Sequence, residues 1–237
     1  MKYLDIPPLQ RLNAFLKSVD VGEYVLMGDL EAYSCKLAGL DKKLSKSLDA
    51  EVQTGSSPLE LSASPVGPLA ESSSRKTLIY LILTMNHIYP DHDFSLLRAH
   101  HFQKEETVSK AEEAIDSHLL EVSKVWAKTP GLGESPFLEC LWSSVDEAIF
   151  LKECDVYSYN SDLETDPFGD EASIWSFHYF FYNKKMKRIL YFGCRAVSKQ
   201  AADEATDTSS KYDRYNQDQD DTDDDSDRYG MATEMDV

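Results

Sequence analysis

The sequence has few cysteines, and none of them forms a CxxC pair. The four cysteines lie far apart, at positions 35, 140, 154 and 194. Structural zinc sites and small disulfide scaffolds need closely spaced or numerous cysteines. Neither is indicated, and a reducing compartment fits the composition.

Long apolar runs are also missing. The first ten residues lack the apolar segment of a signal peptide, and the longest apolar run, residues 78–83, is too short to cross a bilayer. We expect a cytosolic or nuclear protein that has no membrane partner.

Sequence patterns of common active sites are absent. There is no GxSxG, GxxxxGK, GxGxxG or HExxH, so hydrolase, P-loop and dinucleotide-binding hypotheses have no support. We expect a protein that is not an enzyme and has no catalytic residue, no metal and no cofactor.

An acidic loop, residues 161–173, raises the question of metal binding. Its acidic residues are Asp162, Glu164, Asp166, Asp170 and Glu171. Position 12 of an EF-hand starting at Asp162 is Ser173, which cannot supply the required carboxylate. A metal-dependent hydrolase using Asp162, Glu164 and Asp166 is one alternative. We prefer a protein-binding loop in which the turn after Asp166 presents Phe168.

Negative charge is concentrated at the C-terminal end. Of 42 acidic and 24 basic residues, 13 and 3 lie in residues 201–237, which leaves a net charge of −8 on the first 200 residues. This predicts a folded body (1–40 and 75–199) with a disordered acidic tail (200–237), and it disfavours direct nucleic acid binding. Residues 41–74, rich in Ser, Lys, Pro and Gly, predict a disordered insert.

Four stretches have helical patterns. They are residues 7–19, residues 75–90 (with a strand as the alternative), residues 108–126 with a capping box at Ser109 and Glu112, and a helix that starts at Ser135-Pro136 and runs to Ile149.

Strand patterns occupy residues 23–37, with a bulge or kink near Gly28, and residues 153–160, 173–182 and 187–196. Residues 183–186 predict a hairpin turn. We assign the aromatic face of the middle strand, Trp175 to Phe181, to packing. Together these elements predict an α+β fold: a single domain with an antiparallel sheet packed with helices.

The predicted hairpin turn is basic, with Lys184, Lys185, Lys187 and Arg188. Charged residues are ordinary at such a turn, but an import receptor could also bind them as a nuclear localisation signal. The sequence does not decide between a solvated turn and a localisation signal.

Four sites match short kinase patterns. Ser45 follows two lysines, Ser57 and Ser64 precede prolines, and Thr222 precedes three aspartates. Phosphorylation would add about −1.5 to −2 charges at each site.

Residues 153–195, from ECDVYSYN to YFGCR, resemble the signature block of the Maf-one family of RNA polymerase III repressors. EAYSCK, SRKTLIYLILTMN, YPDHDFS, RAHHF and LWSSVDEAI also resemble that family, and the N-terminal helix and short tail resemble a plant-type member.

The resemblance implies a single α+β domain that binds the clamp region of RNA polymerase III and its TFIIIB-type initiation factor, and so blocks recruitment to promoters. It also implies control by nutrient-linked and stress-linked kinases of TOR signalling and by phosphatases. Phosphorylation would shift the protein between nucleus and cytoplasm.

We expect the partner-binding residues to be acidic and aromatic groups that suit a basic partner: Asp155, Tyr157, Tyr159, Asp162, Glu164, Asp166, Phe168 and Asp170. Tyr157 and Tyr159 have an alternative, since one face of their strand could be core. The alternative function is a chaperone of histones or other basic proteins that acts through the acidic tail.

Overall fold

The described part of the chain is organised around a seven-stranded antiparallel sheet. The computed structural model describes residues 1–160 and 173–200. The strands are β1 (Lys2–Tyr3), β2 (Val19–Asp20), β3 (Tyr24–Ser34), β4 (Phe102–Lys104), β5 (Asp155–Tyr159), β6 (Ser173–Asn183) and β7 (Arg188–Ser198). Their order is β1-β3-β7-β6-β5-β4, and β2 also pairs with β3. The predicted β6–β7 hairpin is confirmed.

Helices cover the sheet. They are α1 (Pro7–Leu16), α2 (Gly39–Gly55), α3 (Pro58–Ser62), α4 (Ser72–Ile88), α5 (Val108–His118), α6 (Leu120–Lys128) and α7 (Phe137–Ile149). The predicted α+β class is confirmed. Among the described residues, no helix has the length and apolarity needed to cross a membrane.

Both faces of the sheet are buried. On β6, Phe177 and Phe181 pack with α1, α5, α6 and α7 in one hydrophobic cluster. The alternate residues Phe180 and Tyr182 pack with α2 and α4 in a second cluster. Successive strand residues point to opposite faces, so a strand between two helical layers is apolar at nearly every position. The aromatic run of β6 follows from this.

The bulge that the sequence offered near Gly28 is absent from β3. β3 pairs with β7 in continuous register from Tyr24 to Ser34. Gly28 instead allows close packing, because a β-carbon there would lie 2.8 Å from Sγ of Cys194 and 3.3 Å from Cβ of Leu16. Because Gly28 has no side chain, α1 packs closely against the sheet at this position.

The helix predicted over residues 108–126 is two helices. The backbone leaves helical geometry at Leu119, between α5 and α6. The capping box predicted at Ser109 is also wrong, since the hydroxyl of Thr107 accepts the N–H of Lys110 and caps α5. α7 begins at Phe137, one residue after Pro136.

Residues 41–74, which we predicted to be disordered, contain most of α2, all of α3 and the first three residues of α4. Leu48 and Val52 of α2 are buried in the cluster that includes α4. Val66 and Leu69, in the segment that leads to α4, are buried with them. Apolar residues four apart lie on the same face of a helix. In this segment that spacing is a better indicator of folded structure than the polar average composition. The predicted tail, apart from Gln200, lies outside the described residues.

Arg75, on α4, hydrogen-bonds to residues of the 41–74 insert. Its Nε contacts the Asp49 carboxylate at 2.7 Å, and its Nη1 donates to the carbonyls of Leu69 and Ala70 at 2.9 Å each. The Arg75 side chain is only 11% exposed. Charge-assisted bonds of this kind are among the stronger ones in proteins, so we infer that the insert is held as part of the domain.

Candidate functional site

Asp155 lies between two lysines. It is the first residue of β5, whose neighbours in the sheet are β4 and β6. Nζ of Lys104 and Nζ of Lys184 lie 2.7 and 2.8 Å from its two carboxylate oxygens. Burial alone would raise the pKa of Asp155, but the two lysine hydrogen bonds outweigh burial and hold that pKa below its ordinary value. Asp155 is therefore ionised at neutral pH and already paired.

Tyr157 and Tyr159 do not form a surface. They are 1% and 4% exposed and belong to the cluster that contains α2 and α4. The Tyr159 ring lies 5.5 Å from that of Phe102, and burial raises the pKa of Tyr157. Their prediction as partner-contacting residues is corrected: β5 is an inner strand covered by helices on the face to which these two residues point.

The rest of the predicted partner-binding set lies outside the described residues. These residues are Asp162, Glu164, Asp166, Phe168 and Asp170. Among residues 1–160 and 173–200, no group of three or more His, Cys, Asp or Glu side chains is placed to hold a metal ion.

The basic residues of the β6–β7 turn mostly have partners within the domain. Lys184 pairs with Asp155, and Nζ of Lys185 lies 2.9 Å from a carboxylate oxygen of Glu153. Nη1 of Arg188 donates to the carbonyl of Ala148 at 3.0 Å. Lys187 is exposed and has a positive φ of 52°. The lysines stay on the surface, so an import receptor can still reach them.

The candidate phosphorylation sites lie in different surroundings. Ser45 is half-buried on α2, and Ser57 is exposed and caps α3 through a reciprocal pair of hydrogen bonds with Glu60. Ser64 is half-buried, and its hydroxyl donates to the carbonyl of Gly67 at 2.5 Å. Thr222 lies outside the described residues.

Sequence reasoning missed a buried polar chain on the sheet. The Tyr191 hydroxyl lies 2.7 Å from Nδ1 of His178 and 2.9 Å from the hydroxyl of Tyr89. Burial, and secondarily the charge of Arg195, lower the pKa of His178 to about 3, so its ring is neutral. The signal in the sequence is Gly193, whose missing side chain leaves room for the Tyr191 ring.

This chain borders a cavity of about 370 Å³. Lys17, Asp29 and Arg195 also line it, and Lys17 forms an ion pair with Asp29. The lining of this cavity thus combines charged and aromatic side chains with two glycines, Gly28 and Gly193.

The family model described as "Maf1 regulator" matches residues 26–193, which is more than half of the chain. The chain belongs to the Maf1 family. The matched region runs from Leu26 in β3 to Gly193 in β7, and it contains β4, β5, β6 and helices α2 to α7.

Curated relatives of this Maf1-family chain are named as repressors of the same transcription system. A Dictyostelium discoideum protein named "Repressor of RNA polymerase III transcription" is 35% identical, and the alignment covers 84% of this chain and 86% of that protein. A Schizosaccharomyces pombe protein named "Repressor of RNA polymerase III transcription maf1" is 36% identical, with 85% of each chain covered.

A solved structure has the same fold. The crystal structure of citrus MAF1 in space group C 2 2 21 is 42% identical to this chain, with a TM-score of 0.67, and covers 81% of this chain and 100% of the citrus chain. The predicted antiparallel α+β architecture is thereby confirmed for this Maf1-family member.

Proposed function

We propose that this chain represses transcription by RNA polymerase III. It binds the polymerase at its clamp region, together with the TFIIIB-type initiation factor, and prevents the polymerase from joining promoter-bound factor. The observation that carries the proposal is the extent of the family match, since relatives aligned over 84% and 85% of this chain are named as repressors of this transcription. Repression by occupying a partner's surface needs no catalytic group.

The partner surface that we propose is acidic. It comprises Asp155 and the loop acids Asp162, Glu164, Asp166 and Asp170, with Phe168 as an apolar anchor. Acidic groups complement basic, nucleic-acid-facing surfaces, so they favour fast and specific association. Asp155 is ionised but held by Lys104 and Lys184, and a basic partner therefore has to compete with these two lysines.

Phosphorylation is the proposed control. Kinases that respond to nutrients and stress would modify Ser45, Ser57, Ser64 or Thr222, phosphatases would reverse this, and the basic turn at residues 184–188 would serve nuclear import. Ser57 and Glu60 cap α3 through their side chains, and Ser64 bonds to its own turn. A phosphoryl group at either serine changes contacts inside the domain as well as its net charge.

An order-of-addition experiment tests the proposal. Purified, dephosphorylated protein is added to a promoter-dependent RNA polymerase III transcription reaction before or after preinitiation complexes form, with a polymerase pull-down alongside. Repression only on early addition, with polymerase retained, is expected. No repression and no retention would reject the proposed function.

The acidic end of the chain favours a second candidate, a chaperone of histones or other basic proteins. Residues 201–237 contain 13 of the 42 acidic residues. Deleting these residues separates the two candidates, because a chaperone should lose most of its histone binding. A polymerase repressor should keep much of its binding through residues 1–200.

A further inference from the structure

A second cavity lies where the insert, α4 and the sheet meet. Its volume is about 360 Å³, and residues 64–68, the first turns of α4, Lys104, Tyr157 and Lys184 line it. These residues come from four separate parts of the chain. The polymerase contacts proposed above do not include a residue that lines this cavity.

Two hydroxyls from nearly buried residues line this cavity. Ser74 is 6% exposed and Tyr157 is 1% exposed. Neither hydroxyl hydrogen-bonds to any residue that the structure describes, although nearby Thr77 bonds to the carbonyl of Ser73. The two hydroxyl oxygens are not sealed from solvent, so a polar ligand in the cavity can take the place of the water that would otherwise bond to them.

The groups around the cavity favour an anion. The Lys104 and Lys184 side chains, 47% and 55% exposed, bring two ammonium groups. α4 begins at Ser72, is 17 residues long, and has no side-chain cap from Glu71. Its first N–H groups and the positive end of its dipole are therefore available to a negative ligand.

Nearby carboxylates narrow the choice of anion. Asp155 pairs with both lysines, and Glu71 lines the cavity, so a singly charged anion would gain little. A phosphate monoester carries a charge of about −2 and three strong acceptor oxygens. It can compete with Asp155 for the lysines while accepting hydrogen bonds from Ser74 and Tyr157.

We propose that this cavity is a binding site for a phosphate monoester. Two sources share that chemistry: a free phosphate monoester, or a phosphoserine at Ser64, which itself lines the cavity. The second source rests on the phosphorylation control proposed above. A protein kinase would transfer the γ-phosphoryl group of a nucleoside triphosphate to the Ser64 oxygen, releasing the diphosphate and the hydroxyl proton.

Occupation of the site has a consequence for Asp155. The lysines that bind the phosphate are those that hold the Asp155 carboxylate. A bound phosphate monoester would draw Lys104 and Lys184 away from it. The cavity is thereby coupled to the acidic surface through one shared pair of ammonium groups.

The first test uses inorganic phosphate as the probe. The full-length protein is titrated while NMR follows the backbone amides of residues 72–74. We expect saturable shifts, and binding weakened by about tenfold or more in a Lys104→Gln/Lys184→Gln variant. Tyr157→Phe, which keeps the ring and its packing, should weaken binding severalfold. The matched control is Lys110→Gln/Lys124→Gln, which should bind like the parent. Its lysines lie on α5 and α6 and pair with Glu106 and Glu121.

The second test identifies the source. Phosphoserine is introduced during translation at position 64 or, as a control, at exposed Ser57. If phosphoserine 64 occupies the site, ³¹P NMR should show its second pKa at least about half a unit below that of phosphoserine 57, and free phosphate should no longer shift the α4 amides. If free phosphate still binds, the ligand comes from solution.

The proposal is overturned if neither phosphate source depends on Lys104 and Lys184. All of these measurements use the protein without polymerase. A failure here therefore leaves the repressor function untouched, and a failed transcription assay leaves the phosphate site untouched.

Discussion

The side chain of Tyr191 lies over Gly193, two residues along the same strand. A β-carbon at position 193 would clash with the Tyr191 ring and hydroxyl. That hydroxyl is the one that bonds to His178 and Tyr89. The glycine is thus the reason that a polar chain of three side chains fits on the side of β7 that faces α4.

The first prediction concerns this glycine. Gly193→Ala should lower the free energy of unfolding by about 2–4 kcal/mol, because the Tyr191 ring must move and its buried hydrogen bonds are lost. Urea unfolding measures the change. Gly55→Ala is the control, since no atom lies within 4 Å of its β-carbon position, and it should change stability by less than about 1 kcal/mol. An unchanged unfolding midpoint for Gly193→Ala would contradict the packing described.

The second prediction concerns pH. The pKa of His178 is lowered from 6.5 to about 3 in the folded protein, so below pH 6.5 the unfolded chain binds a proton that the folded chain does not. The contribution of neutral His178 to the free energy of unfolding is fully present above pH 6.5. It is lost as pH falls, by up to about 1.4 kcal/mol per pH unit.

Unfolding measured by urea at several values between pH 4 and 7 tests this pH dependence. His178→Gln, which cannot gain the proton, should show a shallower dependence than the parent protein, whatever its absolute stability. The control is His92→Gln at an exposed position. Equal slopes for the parent and His178→Gln would show that the imidazole is protonated in the folded state.

The third prediction concerns the docking of the insert. Arg75→Gln removes the ion pair with Asp49 and weakens the bonds to two carbonyls, so α2 should open more easily, by about 2 kcal/mol. Hydrogen exchange of the α2 amides should accelerate while β6 and β7 stay protected. Lys76→Gln, an exposed neighbour on α4, serves as the control and should leave α2 exchange unchanged. Global acceleration would show instead that the insert and the sheet unfold together.

The fourth prediction concerns the acidic surface. Asp155→Asn keeps the shape of the side chain but removes its charge, and it should weaken polymerase retention by about fivefold or more while costing about 1 kcal/mol of stability. A pull-down over a salt series measures retention. Asp91→Asn, at an exposed position after α4, should bind like the parent. Retention that is independent of residue 155 would remove Asp155 from the proposed surface.

Strong patterns in the sequence predicted much of the fold. α4 and the β6–β7 hairpin were found because apolar and β-branched residues dominate them. α2 was missed because its composition is polar on average, whereas the information lies in the spacing of Leu44, Leu48 and Val52. Average composition does not record spacing.

The candidate site was harder to predict for a geometric reason. Alternation along β5 shows which residues share a face, but it does not show that helices cover both faces of the sheet. Tyr157 and Tyr159 were predicted to contact a partner, with core as the alternative, and the structure places them in the core. The cavity proposed to bind phosphate combines Ser64, Lys104, Tyr157 and Lys184. The pairing of β4, β5 and β6 brings the last three together, and the docking of the insert adds Ser64.

The double covering of the sheet also limits how this protein can evolve. Between Phe177 and Tyr182, successive side chains of β6 face alternate hydrophobic clusters, so most substitutions there disturb packing on one side or the other. The strand has little freedom to acquire a new specificity. Innovation in partner choice is left to the helices, turns and connecting segments, where a changed side chain meets solvent.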